Sequence, residues 1–138
     1  MARSEQVVVT WRRQGLLFEG VSPNGRVDLA SALDAPGSGA SPMELLAVAL
    51  GGCTAMDVVT ILQKMREPVE GLRVEVSGQK ADEHPKRYLS LEIVYHLKGD
   101  LDERKVRRAI QLSEDKYCSV EATLRPGVRL TSRFILER

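Results

Sequence analysis

Two thiols are the groups best able to do chemistry in this chain: Cys53, inside the apolar run from Leu45 to Met56, and Cys118, after a charged stretch. A thiol attacks or ligates only as the thiolate, so its use depends on what lowers its pKa from the free value of about 8.5. No Lys or Arg stands near Cys53 in sequence. An activating cation must therefore come from another element, with Arg13 and Arg26 as the candidates. Asp57 follows Cys53 by one helical turn on the same face and would raise the thiol pKa unless an Arg neutralises it; its other role is a buried hydrogen bond or ion pair. The two cysteines form neither a CxxC motif nor a tight metal knuckle. Two readings stay open: a pair of inert buried thiols, or a catalytic pair. His84 stands beside Pro85 in a turn and His96 falls on the polar side of its strand. No ligand spacing joins either to a cysteine, so no metal and no Cys-His nucleophile is assigned.

The element that must position Cys53 announces itself at Ser41-Pro42-Met43-Glu44. A Ser to cap, a Pro at the first helical position and a Glu three residues after the cap all mark a helix start. From Leu45 to Met56 the residues are apolar or small on every side, which a helix on the surface of one chain would not tolerate. This long central helix is expected to be buried under a sheet or a partner. Gly51 and Gly52 each cost about 1 kcal/mol of helix propensity, and the expected return is a close approach beside Cys53.

Ahead of the helix, Val7 to Trp11, Leu16 to Phe18 and Arg26 to Leu29 are strand-like, separated by turn signals at Arg12 to Gly15 and Ser22 to Gly25. They form a three-stranded meander. Ala35 to Ala40 is a loop rich in breakers. Beyond the helix, Leu72, Val74 and Val76 alternate with polar residues, and Leu89, Leu91, Ile93, Tyr95 and Leu97 do so more cleanly; the two runs read as a hairpin. Asp100 to Glu103 offers a second capping box, after which Val106, Ala109, Ile110, Ser113 and Tyr117 recur at helical spacing up to Cys118. Val128 to Leu136 is a last strand. The order is β-β-β-α-β-β-α-β, an α+β fold rather than a nucleotide-binding alternation, and no G-x-G-x-x-G or P-loop occurs.

The chain has 138 residues and a formal net charge of +1, which predicts one domain over 1–138 and argues against a broad nucleic-acid or anionic-membrane surface. The charge run at Arg104, Lys105, Arg107 and Arg108 lacks interleaved aromatics and reads as a solvated helix face. The amino terminus has no signal-peptide pattern, so a soluble, cytoplasmic protein is expected. One small chain can hardly cover an all-apolar helix. A dimer sharing its core is the simplest remedy.

The run Ser41-Pro42-Met43-Glu44-Leu45-Leu46 through Gly51-Gly52-Cys53-Thr54 to Val59, with Tyr117-Cys118-Ser119-Val120-Glu121-Ala122-Thr123-Leu124, resembles the OsmC/Ohr family of osmotically induced and organic-hydroperoxide-resistance proteins. The resemblance covers nearly the whole chain and is greatest to the branch with Pro-Met-Glu-Leu-Leu and Gly-Gly-Cys-Thr. It implies an intertwined homodimer with both active sites at the interface. It also implies that Cys53 attacks the O–O bond of an organic hydroperoxide, Cys118 resolves the sulfenic acid to a disulfide, and an external dithiol restores the pair without a bound cofactor. Peroxidases of this family carry a Glu ten positions before the reactive Cys, which holds the activating Arg; here Met43 stands there. Glu44 lies about 180° around an ideal helix from Cys53 and is already used for capping. The alternative implied by that departure is a non-catalytic protein binding a small lipophilic ligand on the same fold.

Overall fold

The computed structural model describes residues 2–34 and 36–138. The chain divides into two compact units, Met1–Leu46 and Ala47–Arg138. In the first, β1 (Val8–Trp11), β2 (Leu17–Ser22) and β3 (Gly25–Ala30) form the expected antiparallel meander, in the order β1-β2-β3. The Ser22 hydroxyl accepts from Asn24 and Gly25 N–H groups and fixes the second turn. The breaker-rich loop runs over 36–40, and Ala35 lies outside the described residues. At Gly39 a Cβ would stand 3.0 Å from the Asp28 carbonyl oxygen, so only glycine lets the loop lie against β3.

Helix α1 (Pro42–Lys64) begins as the sequence demands. Ser41 N–H donates to Glu44 Oε1 at 2.8 Å while Glu44 N–H donates to Ser41 Oγ at 3.2 Å, a reciprocal capping box. Within one chain the helix is covered on one side. Leu50, Gly51, Thr54, Val58 and Leu62 are buried, whereas Val48 is 64% and Met56 74% exposed. By length and composition α1 would be apolar enough to cross a bilayer, yet its inner face is the core of the second unit.

That unit is built on β4 (Gly71–Lys80), β5 (Tyr88–Lys98) and β6 (Arg129–Glu137), ordered β4-β5-β6. The expected β4–β5 hairpin is antiparallel, and β6 joins β5 in parallel, which requires a crossover. Leu91, Ile93, Tyr95 and Leu97 of the central strand are buried, as alternation predicts, while Leu89 at the strand start is exposed and Val94, on the opposite face, is buried as well. Gly51 has the close neighbour its cost suggested, since a Cβ there would meet Val76 Cγ2 of β4 at 3.1 Å. Gly52 has none; a Cβ would find nothing within 4 Å.

The crossover differs from the single predicted helix. Helix α2 (Glu103–Leu112) is capped by Asp102, whose side chain accepts from Arg104 N–H, rather than by Asp100. Its buried residues Val106, Ala109 and Ile110 are the predicted stripe. The next five residues, Ser113–Tyr117, form a π-helical turn, and a short helix α3 (Ser119–Leu124) follows, which the periodicity did not foresee. The wide turn also reverses one assignment. At 3.6 residues per turn Tyr117 would share the buried stripe, but it is 51% exposed. Cys118 takes the inward place, 3% exposed, five residues after the fully buried Ser113.

Candidate active site

Two elements of the second unit bring the thiols together. Cys53 and Asp57 lie one turn apart on α1, at the edge of its buried face, because a 3.6-residue repeat stacks i and i+4. Cys118 arrives from the π-turn: its N–H donates to the Ser113 carbonyl at 2.7 Å, an i to i−5 bond that widens the helix by one residue. That bond sets Ser113 and Cys118 on the same side. The Ser113 hydroxyl then donates to Asp57 Oδ2 at 2.9 Å, tying the turn to α1. The Cys53 sulfur, the Cys118 sulfur and an Asp57 carboxylate oxygen all lie within 4.8 Å of one another. Both cysteines are free thiols.

The two thiols are not equivalent. Cys53 is half-buried and Cys118 buried. Burial pushes the Cys118 thiol up to about 12, assisted by its hydrogen bond with Cys53 and offset in part by the Glu121 N–H, which donates to its sulfur at 3.3 Å. Cys118 is thus a protonated thiol at neutral pH. It also occupies the N-cap position of α3, with extended backbone, where a Ser or Thr oxygen would normally sit.

Behind Cys118 stands a buried polar group that the sequence reading missed. Glu121 is 5% exposed, and its Oε2 has no hydrogen-bond partner among the described residues. Its other oxygen pairs with Arg125 at 3.4 Å. Desolvation and the nearby Glu114 push its pKa to about 7, against the pull of Arg125. Glu114 in turn accepts from Tyr95 Oη at 2.9 Å and Ser132 Oγ at 3.0 Å, and burial pushes the Tyr95 hydroxyl pKa up. The signal for Glu121 was its spacing, three residues after a capping residue. Ser113 was read only as a core position, and nothing in its spacing marked it as the partner of Asp57.

The predicted cations belong to the amino-terminal unit. Arg26 pairs with Glu19 at 3.4 Å, and Arg12 with Glu19 at 3.2 Å and with Asp28. Arg13 is exposed in the turn between β1 and β2 at φ +61°, in the left-handed region that non-glycine residues seldom occupy. His84 is exposed, and His96 pairs with Glu75, as expected of residues outside the site.

A pair of neighbouring thiols, one accessible and one buried, at the junction of an apolar helix and a crossover on this α+β sheet defines the class. The chain belongs to the OsmC-like protein family, whose model matches residues 35–133. Among its relatives is the protein YhfA of Escherichia coli K12, 38% identical over 133 residues that span 94% of this chain and 96% of that one. A hypothetical protein from Aquifex aeolicus has a crystal structure of TM-score 0.84 at 29% identity, covering 99% of this chain and 100% of that one. The organic hydroperoxide resistance protein OhrB of Bacillus subtilis shares the fold with a TM-score of 0.64 at 18% identity, over 96% of this chain and 98% of its own.

Proposed function

We propose that this protein reduces organic hydroperoxides through Cys53, with Cys118 as the resolving thiol. The observation that supports this reading is the approach of the two sulfurs to within 4.8 Å. Their environments divide the roles. Half-buried Cys53 is open to a substrate, whereas Cys118 is too buried and too firmly protonated to strike first. The Cys53 thiolate attacks one peroxide oxygen, the O–O bond breaks, and the alkoxide leaves and takes up a proton as the alcohol. Cys118 then attacks the sulfenic sulfur; the disulfide forms and water leaves with the Cys118 proton. The sulfurs must close to an S–S bond of about 2 Å. An external dithiol then reduces the disulfide by exchange.

A mixed cavity of about 470 Å³ has Asp57, Thr60 and Lys64 on its polar side, and its apolar part at Met56, Ile61, Met65, Leu112 and Tyr117 suits an alkyl tail, at about 0.8 kcal/mol per buried CH₂. In this reading the protein is a cytoplasmic homodimer with neither nucleic acid nor membrane as partner. Each unit leaves exposed apolar residues for a second copy to cover, Val9 and Trp11 of β1 in the first and Val48 and Met56 of α1 in the second. Arg13 is the cation assigned to the Cys53 thiolate. Met43 in place of a carboxylate favours the second reading, a protein that keeps the pocket for a lipophilic ligand without turnover.

Single-turnover oxidation separates the two. With cumene hydroperoxide, wild type should lose both thiols, Cys53→Ser none, and Cys118→Ser one, trapped as a sulfenic acid by dimedone. If wild type keeps both thiols with every organic hydroperoxide tried, the peroxidase reading fails and the binding reading replaces it.

A further inference from the structure

We propose that in the reduced protein Cys53, Asp57 and Cys118 form a binding site for a divalent cation of the zinc class. Two sulfurs and one carboxylate oxygen lie within 4.8 Å of one another. A tetrahedral zinc ion, with bonds of about 2.3 Å to sulfur and 2.0–2.2 Å to oxygen, holds such donors roughly 3.5–3.8 Å apart. The donors thus need to close by at most about 1.3 Å around the ion. The chemistry of the set is selective: thiolates reject magnesium and calcium, which take oxygen ligands, and favour zinc and its softer neighbours.

The site is also built, rather than a chance meeting of flexible side chains. Cys53 and Asp57 project from successive turns of one long helix. Cys118 is fixed by the bond from its N–H to the Ser113 carbonyl at 2.7 Å. Ser113 donates its hydroxyl to Asp57 Oδ2 at 2.9 Å, as outer-shell partners orient ligating carboxylates in metal sites. A cation would displace the protons of both thiols, including the buried Cys118, since coordination deprotonates a thiol outright. Three protein donors leave a fourth position for water or a small ligand.

This use of the site follows from the donor geometry alone and holds whether or not Cys53 turns over hydroperoxide. It excludes the disulfide, because both states use the same two sulfurs. Two-electron oxidation of the pair by diamide, which is itself reduced to the hydrazine as it takes two electrons and two protons, forms the S–S bond and leaves Asp57 as the one remaining donor of the three. The cation must then be released.

Cobalt(II) is the probe. Tag-free, fully reduced protein titrated with cobalt should bind one ion per chain with an intense sulfur-to-cobalt absorption in the near ultraviolet and tetrahedral bands in the visible. Cys53→Ser and Cys118→Ser should each lower the charge-transfer intensity by about half or more, and Asp57→Asn should weaken binding at least about tenfold. Circular dichroism reports whether each variant is folded. The unmutated protein supplies the check that needs no variant: diamide-oxidised wild type should bind no cobalt, and stoichiometric zinc should protect both thiols of reduced wild type from iodoacetamide. Absence of the charge-transfer band in reduced wild type, an equal band in the oxidised protein, or unprotected thiols in the presence of zinc would each overturn the proposal.

Discussion

The two units of this chain solve the problem of burial in opposite ways. In Ala47–Arg138, β5 is buried at Leu91, Ile93, Val94, Tyr95 and Leu97, and helices supply Leu50, Val58, Leu62 and Val106 to the same core. In Met1–Leu46, Ala30 is the one buried residue among those described, while Val8, Val9, Trp11 and Val27 of its sheet are more than two-fifths exposed. Both sheets have three hydrogen-bonded strands. Backbone pairing alone therefore does not distinguish them; what differs is whether apolar side chains have something to pack on. Three strands without a packed face are marginal in water, so the first unit taken by itself has little to hold it. The second carries its own core.

Core truncation should expose that contrast most strongly. Leu97→Ala, at a fully buried position, should cost about 2–5 kcal/mol in urea unfolding at any protein concentration. If a second copy covers the first sheet, as proposed, Val9→Ala, at a position 59% exposed, should show a cost that shrinks as the protein is diluted. A Val9→Ala cost equal to that of Leu97→Ala and independent of concentration would erase the distinction.

The next effect belongs to the buried acid of the second unit. Burial pushes the Glu121 pKa up to about 7, above the ordinary glutamate value of 4.5, so between those values the native state holds the proton more tightly than the unfolded chain. Stability should fall as pH rises from about 4.5 to about 7 and level off above, by at most about 3 kcal/mol. Glu121→Gln should flatten that slope in urea titrations at pH 5 and pH 8. An unchanged slope would show that another group carries it.

In the first unit the corresponding cost sits in the backbone. Arg13 is held at φ +61°, where a residue with a Cβ pays about 1–2 kcal/mol. Arg13→Gly should therefore raise stability by about 1 kcal/mol while slowing single-turnover oxidation at neutral pH, with the loss recovered as pH is raised. A variant that is more stable and fully active would remove Arg13 from the mechanism. Met43→Glu should have the smallest effect, a modest gain in oxidation rate at neutral pH, if a carboxylate at that position can hold the activating cation.

Local chemistry was legible in the sequence; long-range phase was not. The capping box at Ser41 and Glu44, the turn at Ser22 to Gly25 and the alternation through β5 each follow from interactions spanning a few residues, and each is present. Cys53 and Asp57 were placed together for the same reason, since i and i+4 meet on any helix. The pairing of Cys118 with Cys53 was left open by spacing, and only the resemblance brought the two together. The parallel seating of β6 and the buried Glu121 depend on contacts between distant segments. Tyr117 shows the limit most plainly, because its inward placement assumed a constant helical period that the π-turn breaks.

That turn ties the thiol pair to a residue count. A π-turn is the footprint of one residue inserted into an α-helix without unravelling it, the surplus residue being absorbed by an i to i−5 bond. Here the bond joins Cys118 to Ser113. Remove one residue from 114–117 and the helix could close as ordinary α with the cysteine four residues after Ser113, still on its face, because four steps of about 100° return to within about 40°. Restore the α-helical period without that deletion and Cys118 would instead lie about 140° from Ser113, and the thiols would separate. The pairing thus depends on the match between turn width and spacing: the five-residue step from Ser113 to Cys118 works only because the turn is wide.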